Sequence, residues 1–290
     1  MRQWAGIHGR PGSPSVLQTV ASMDEPQTWH YGLMARWWAE FNTAEPEELA
    51  YYRAAIERFG QPALDLGCGA GRLMLPLLAD GLDVDGVDIS SDMLAQAAEL
   101  GARQGMKPRL YPQTFHELDL ERRYRTIYIC DSFGLGGYRQ QDRQALRRIF
   151  EQLEPGGGLV FSYDLPYGEI DPNEWARWLP AHRGAHPGGW PKGNRRQIAD
   201  GDELELSVRA SDFDALLQRR TLEMRLRLWR AGRVVAEEER QLHENLYFAQ
   251  EILLMLEDAG FGDVAMEGRY TGIPATPDDG TLVFVAQHPV

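Results

Sequence analysis

Leu64-Asp65-Leu66-Gly67-Cys68-Gly69-Ala70-Gly71-Arg72 decides the fold of this 290-residue chain. It reads as an apolar strand, a Gly-x-Gly-x-Gly turn, and a helix beginning near Leu73. Glycines at such a turn let the backbone approach a ligand that a β-carbon would push away. The helix that follows aims its free N–H groups and the positive end of its dipole at the same place. Two carboxylates frame the turn. Asp65 precedes the glycines, and Asp88 ends the next apolar run, Leu82 to Ile89. An acid about 20 residues beyond a glycine turn is placed to accept hydrogen bonds from ribose hydroxyls.

The glycine spacing separates two ligand classes. A dinucleotide fingerprint, G-x-G-x-x-G, would have its third glycine where this chain has Arg72; here it falls one place earlier, at Gly71. Asp65 stands where it would repel a pyrophosphate. A ligand with a cationic end and no phosphate suits the turn better, and S-adenosylmethionine (SAM) carries an ammonium and a sulfonium.

Further segments extend the pattern. Gly86 to Leu94 reads GVDISSDML, Leu110 to Phe115 LYPQTF, and Tyr128 to Gly134 YICDSFG. Leu153 to Pro166 reads LEPGGGLVFSYDLP, and Ala259 to Val264 with Gly280 to Gln287 reads AGFGDV and GTLVFVAQ. With the glycine turn, and in this order, they resemble the motifs of class I SAM-dependent methyltransferases. The resemblance covers about Trp29 to Val290. It implies a Rossmann-like α/β fold with a mostly parallel seven-stranded sheet and an inserted antiparallel β lid. It implies SAM as cofactor, S-adenosylhomocysteine (SAH) as product, and a cofactor shell carried over motif by motif. Asp65, Gly67, Gly69 and Arg72 come from the first motif. Asp88, Ile89 and Met93 come from the second. Gln113, Thr114 and Phe115 follow the third strand, and Cys130, Asp131 and Ser132 end the fourth. Ala35 to Asn42 is similar to the N-terminal helix of glycine N-methyltransferase-like enzymes, which implies Trp38 against the cofactor and Tyr31 near the sulfonium. The arginine that often follows this helix in the family is absent here. Arg36 and Arg72 are the substitutes for holding the SAM carboxylate.

Composition is that of a soluble enzyme. The chain has 43 acidic and 30 basic side chains, a formal net charge of −13, which argues against a nucleic-acid partner. No apolar run approaches a membrane span, and no apolar signal core opens the chain. The two cysteines, Cys68 and Cys130, fall in cofactor motifs rather than a disulfide framework, so a cytoplasmic compartment is expected. Partners expected are a small-molecule acceptor and, as one option, a second copy in a homodimer.

Five segments are expected: a loose tail (1–26), a helical lid (27–60), the SAM-binding core (61–170), an antiparallel insertion (171–245), and a closing helix and strands (246–290). Gln27 to Asn42 and Glu45 to Phe59 read as helices. A Pro- and Gly-rich loop with Trp175, Trp178 and Trp190 opens the insertion and runs to Asn194. Three strands follow, over Glu203 to Ser211, Thr221 to Trp229 and Val234 to His243, with Leu204, Leu206 and Val208 inward on the first. Tyr247 to Asp258 reads as a helix capped by Gly260.

Methyl transfer is an in-line displacement that needs alignment more than acid–base chemistry. Some small-molecule N-methyltransferases carry a histidine just after the fourth strand; here the segment is Asp131-Ser132-Phe133-Gly134. The catalytic candidates are therefore Tyr31, Asp131 and His243, with Tyr138, Tyr163 and Asp164 as further polar groups and His30 and His116 no stronger. No cluster has metal-ligand spacing, so no metal is expected. The acceptor should enter between the N-terminal helix, the segment after the fourth strand and the Trp-rich loop. The expected function is methyl transfer from SAM to O or N of a small molecule. The alternatives are a SAM-binding protein with another reaction, a catalytically silent SAM-binding module, and an NAD-dependent oxidoreductase, which the Gly71-Arg72 spacing disfavours.

Overall fold

The computed structural model describes residues 28–167, 176–182 and 188–290. The expected tail, Gln27 and Trp175 lie outside the described residues. Seven strands build one sheet: β1 (Ala63–Leu66), β2 (Val84–Asp88), β3 (Leu110–Pro112), β4 (Tyr124–Ile129), β5 (Leu153–Asp164), β10 (Gly262–Gly268) and β11 (Thr281–Gln287). Their spatial order is β10-β11-β5-β4-β1-β2-β3. The five strands from β5 to β3 run parallel; β11 is antiparallel to β5, and β10 to β11. This is the mostly parallel sheet with an antiparallel closing pair that the sequence implies.

Helices cover both faces, as a parallel sheet requires. On one face α2 (Pro46–Phe59) and α3 (Met74–Ala79) contribute Tyr52, Ile56, Phe59, Leu75 and Leu77 to a core with Ala63, Val84 and Val160. On the other, α5 (Arg139–Gln152) and α6 (Ala249–Ala259) contribute Leu146, Ile149, Ile252 and Leu256, packed on Leu64, Leu66, Ile127 and Phe161. Local signals set the helix ends. Pro46 opens α2, and Glu45 and Glu48 form its capping box. Ser90 caps α4 (Ser91–Arg103) by accepting from the Met93 N–H at 3.2 Å. Gly260 closes α6 in the left-handed conformation, as expected.

The N-terminal helix is shorter than expected. α1 spans Leu33–Phe41, because Gly32, at φ 57°, interrupts the chain before it. Residues 28–32 instead run irregularly over the start of α4. The Gly32 N–H donates to Asp92 at 2.7 Å, and the Ser90 hydroxyl donates to the His30 carbonyl.

The insertion is a sheet of four strands, not three: β6 (Asn194–Gln197), β7 (Glu203–Asp214), β8 (Arg219–Arg230) and β9 (Arg233–Asn245), antiparallel throughout. β6 is polar and fully exposed, so no apolar alternation announces it. The inner face does not cover the large sheet. Leu204, Met224, Leu226 and Leu242 bury Trp29, Met34 and Trp37 around α1. Val208 shares that inner face, opposite Met224, as expected, but stays 39% exposed. Trp190 packs on the outer face, between the guanidinium groups of Arg209 and Arg225.

Candidate functional site

The sheet order reverses direction at β1, between β4 and β2, and the crevice at the carboxyl ends of strands at such a point is where open α/β sheets bind ligands. A cavity of about 380 Å³ lies there. The glycine turn forms its floor. Gly67, Gly69 and Gly71 all have positive φ (76°, 53° and 86°), conformations that L side chains rarely adopt. The Gly67 and Cys68 N–H groups donate to the Val87 carbonyl, tying the turn to β2. A β-carbon at Gly67 would sit 2.3 Å from the Ser132 hydroxyl, so the turn and the end of β4 touch only because Gly67 has none.

Asp88 is held by both oxygens. Its Oδ2 accepts from the Gly69 N–H at 2.9 Å, and its Oδ1 from the Ser90 N–H at 2.8 Å. Each oxygen keeps a lone pair for a ligand. Burial pushes its pKa up, against the pull of these two N–H groups. Asp65 is buried beside the turn, and burial pushes its pKa up to about 7, against the charge of Arg72.

Arg72 crosses the cavity wall. Its guanidinium donates to Glu48 at 2.5 Å, to Asp131 at 3.1 Å and to the Cys130 sulfur at 2.9 Å. Glu48, Cys130 and Asp131 bring three ligand-type atoms within 4.8 Å of one another, and this guanidinium occupies the place a cation would take. Asp131 has φ 56°, a strained value for a non-glycine residue. Its other oxygen accepts from the Ser162 hydroxyl at 2.6 Å. Burial pushes the Cys130 thiol up to about 12, so it is a neutral neighbour and not a nucleophile.

Most of the expected shell meets at this cavity. Asp65, Gly67, Gly69 and Arg72 line it from the turn, and Asp88, Ile89 and Met93 from β2 and α4. Thr114, Phe115, Cys130, Asp131 and Ser132 line it after β3 and β4, and Trp38 from α1. Three expected residues are elsewhere. Tyr31 is not in the wall; its hydroxyl donates to the Ile89 carbonyl at 3.5 Å. Gln113 folds back, donating to the Asp119 carbonyl and accepting from its N–H. His243 stays on the insertion, its Nδ1 3.0 Å from the Thr221 hydroxyl. Its strand ends two residues on, at Asn245.

The other polar candidates are structural. Tyr163 donates to the Asn245 carbonyl, Asp164 accepts from Thr281, and the Tyr138 ring lies under Arg219. Arg36 pairs with Asp200 at 2.6 Å, away from the cavity. Nor do the described residues of the Trp-rich loop wall the cavity. Trp178 packs on Phe213 and Phe248, Trp190 on the insertion, and the aromatic walls are Trp29, Trp38 and Phe115.

Sequence reasoning missed Glu48, Trp29 and the pair Gln141 and Asp142, and ranked His30 no higher than His243. The capping-box glutamate was the one available signal for Glu48. His30 Nε2 accepts from the Trp29 indole N–H at 3.0 Å, an interaction that places the ring proton on Nδ1, facing the Thr28 hydroxyl at 2.6 Å. Burial lowers its pKa to about 4, so it is neutral. Leu135, Gly136 and Gly137 complete the wall. This loop is stitched to β9, the Gly136 N–H donating to the His243 carbonyl and the Asn245 N–H to the Gly134 carbonyl.

Residues 63–157 match a family model described as a methyltransferase domain. A protein of Geobacillus sp. (strain WCH70), named as a methyltransferase, is 28% identical over 144 residues, 47% of this chain and 58% of that protein. The carboxy-S-adenosyl-L-methionine synthase of Chromohalobacter salexigens is 33% identical over 125 residues, 41% of this chain and 45% of that protein. The chain thus spans about half the length of these relatives. The solved structure of the sugar N-methyltransferase KedS8 from Streptoalloteichus sp. ATCC 53650 superposes over 100% of both chains with a TM-score of 0.65 at 18% identity, a likeness of fold.

Proposed function

We propose that this chain, whose residues 63–157 form a methyltransferase domain on a class I methyltransferase fold, transfers the methyl group of SAM to O or N of a small-molecule acceptor and leaves SAH. The observation that carries the reading is Asp88, held by the Gly69 N–H and aimed into a crevice whose ionised side chains are acidic apart from the paired Arg72. Such a crevice favours a cationic ligand without phosphate and disfavours a dinucleotide.

The residues fit SAM part by part. Asp88 has lone pairs left for the two ribose hydroxyls. Ile89, Met93 and Phe115 offer apolar surface to an adenine ring. Asp65 faces the ammonium end, and Arg72 is placed for a carboxylate if it loosens its hold on Asp131. Trp38 closes the cavity from α1. SAM supplies an electrophilic methyl carbon: the acceptor's lone pair forms the new bond to it, the carbon–sulfur electrons return to sulfur, and the acceptor's proton leaves to solvent. The chain's contribution is alignment and exclusion of water.

Incubation with SAM and a panel of small amines, phenols and carboxylic acids tests this. Mass spectrometry should show SAH formed together with a product 14 mass units heavier than one acceptor. A second reading keeps the pocket and changes the reaction, as the carboxy-SAM synthase relative prompts. SAM consumed without a methylated product would favour it. The acidic charge balance speaks against a phosphate-backbone partner, and among the described residues no helix is long and apolar enough to cross a membrane. For the homodimer, sedimentation is the test: twice 32.8 kDa supports it, and 32.8 kDa ends it.

A further inference from the structure

The wall opposite the glycine turn carries a carboxylate of a different kind. Asp142 lies in the first turn of α5, is 8% exposed, and lines the cavity. Its Oδ2 accepts from the Asn245 amide at 2.7 Å and from the Tyr247 hydroxyl at 2.6 Å. The same Asn245 amide donates to the Gly137 carbonyl at 3.1 Å, fixing the glycine loop and the carboxylate together. Oδ1 accepts no hydrogen bond among the described residues, and no cationic side chain among them lies within ion-pair distance of Asp142, although the Arg139 and Arg219 charges act on it from farther off. The nearby Arg139 guanidinium is engaged by Glu251, Gln218 and the Leu246 carbonyl. A buried carboxylate in a cavity wall with one oxygen fixed and the other without a hydrogen-bond partner is costly unless a ligand supplies the missing partner.

We propose that Asp142 Oδ1 recognises the amino group of the acceptor, which arrives as an ammonium, gives one N–H proton to Oδ1 and attacks through the lone pair so freed, making amines the substrate class of this site. The inference rests on the methyl-transfer reading above and narrows it. An ammonium N–H provides the hydrogen bond that Oδ1 lacks and a positive charge in direct contact with it. A phenolate or carboxylate acceptor would meet like charge, which discriminates against the acceptors that ionise at oxygen. The histidines in the wall add no positive charge, since burial lowers the pKa of both His30 and His116. Asn245 and Tyr247, which hold Asp142, come from the end of the insertion and the start of the closing segment, outside the 63–157 domain.

Asp142→Asn isolates the open oxygen. The amide keeps one oxygen for Asn245 and Tyr247 and puts an NH2 where Oδ1 was. The probes are benzylamine and benzyl alcohol, equal in shape, titrated into the SAH-loaded chain and followed by ligand-observed NMR. The wild-type chain should bind benzylamine more tightly than benzyl alcohol. Asp142→Asn should weaken benzylamine about tenfold or more, leaving benzyl alcohol and SAH unchanged. Tyr247→Phe, which removes one anchor and keeps the carboxylate, should retain the amine preference. The proposal is overturned if the SAH-loaded wild type shows no amine preference or if Asp142→Asn keeps it. It is equally overturned if Asp142→Asn weakens SAH instead, which would make Asp142 a cofactor residue. Failure of the wild type to bind SAH at all would strike the methyl-transfer reading first.

Discussion

Asp65 shows how one residue type changes its behaviour with place. An exposed aspartate is ionised at neutral pH, but burial pushes this one up to about 7. Its folded pKa lies above its unfolded value, so the folded chain holds an extra proton between about pH 4 and 7, and this group's contribution to stability falls as pH rises through that window. A bound ammonium favours the carboxylate and expels the proton. SAH binding should therefore release protons near pH 6.5 and tighten as pH rises toward 7. Calorimetry in two buffers of different ionisation enthalpy reads the release directly, and Asp65→Asn should reduce it. Equal heats in both buffers would remove Asp65 from the ligand's surroundings. Asp65, Asp88 and the glycines were legible because each belongs to one short strand–turn–helix unit. Asp142 was not, since its anchor Asn245 is 103 residues away in the chain. His30 was weighed without its place, which Trp29 and the docking of residues 28–32 onto α4 define.

At the scale of elements, the turn after β1 and the segment leading into α1 carry the site. Gly67→Val should abolish SAH binding, because its side chain meets Ser132 and its backbone is left-handed. Gly81→Ala is the control: its φ is 85° but nothing lies within 4 Å, so it should cost about 1–2 kcal/mol of stability and leave SAH affinity unchanged. If the two variants lose SAH equally, strain alone explains Gly67. Residues 28–41 cover the cavity with Trp29, His30 and Trp38 and hold to α4 through two polar contacts and the packing of Ala35, Trp38 and Ala39 with Met93 and Leu100. Hydrogen exchange should show this segment gaining protection when SAH is added. Full protection without ligand would make these aromatics ordinary core around the insertion. The strands of the insertion were legible wherever apolar residues alternate, as on β8. They were not on β6, whose four residues are all exposed and polar. The neighbour of the insertion's inner face was not legible, because an apolar face says that it must be covered and not by what.

Over the whole molecule, a sheet with the shared methyltransferase order positions the crevice, and an appended sheet holds the N-terminal helix and the loop after β4 against it. The first part follows from motifs in a fixed order along the chain. The second depends on contacts among residues near 30, 135 and 245, which no local pattern joins. The central claim is that the crevice at Asp88 binds SAM and its product. Calorimetric titration of SAH into the wild-type chain and into Asp88→Ala tests it most directly. The account predicts one saturable site in the wild type and a loss of about 1–3 kcal/mol in the variant, with the melting temperature nearly retained. No saturable heat from the wild type, or equal affinity in a folded Asp88→Ala chain, would contradict it.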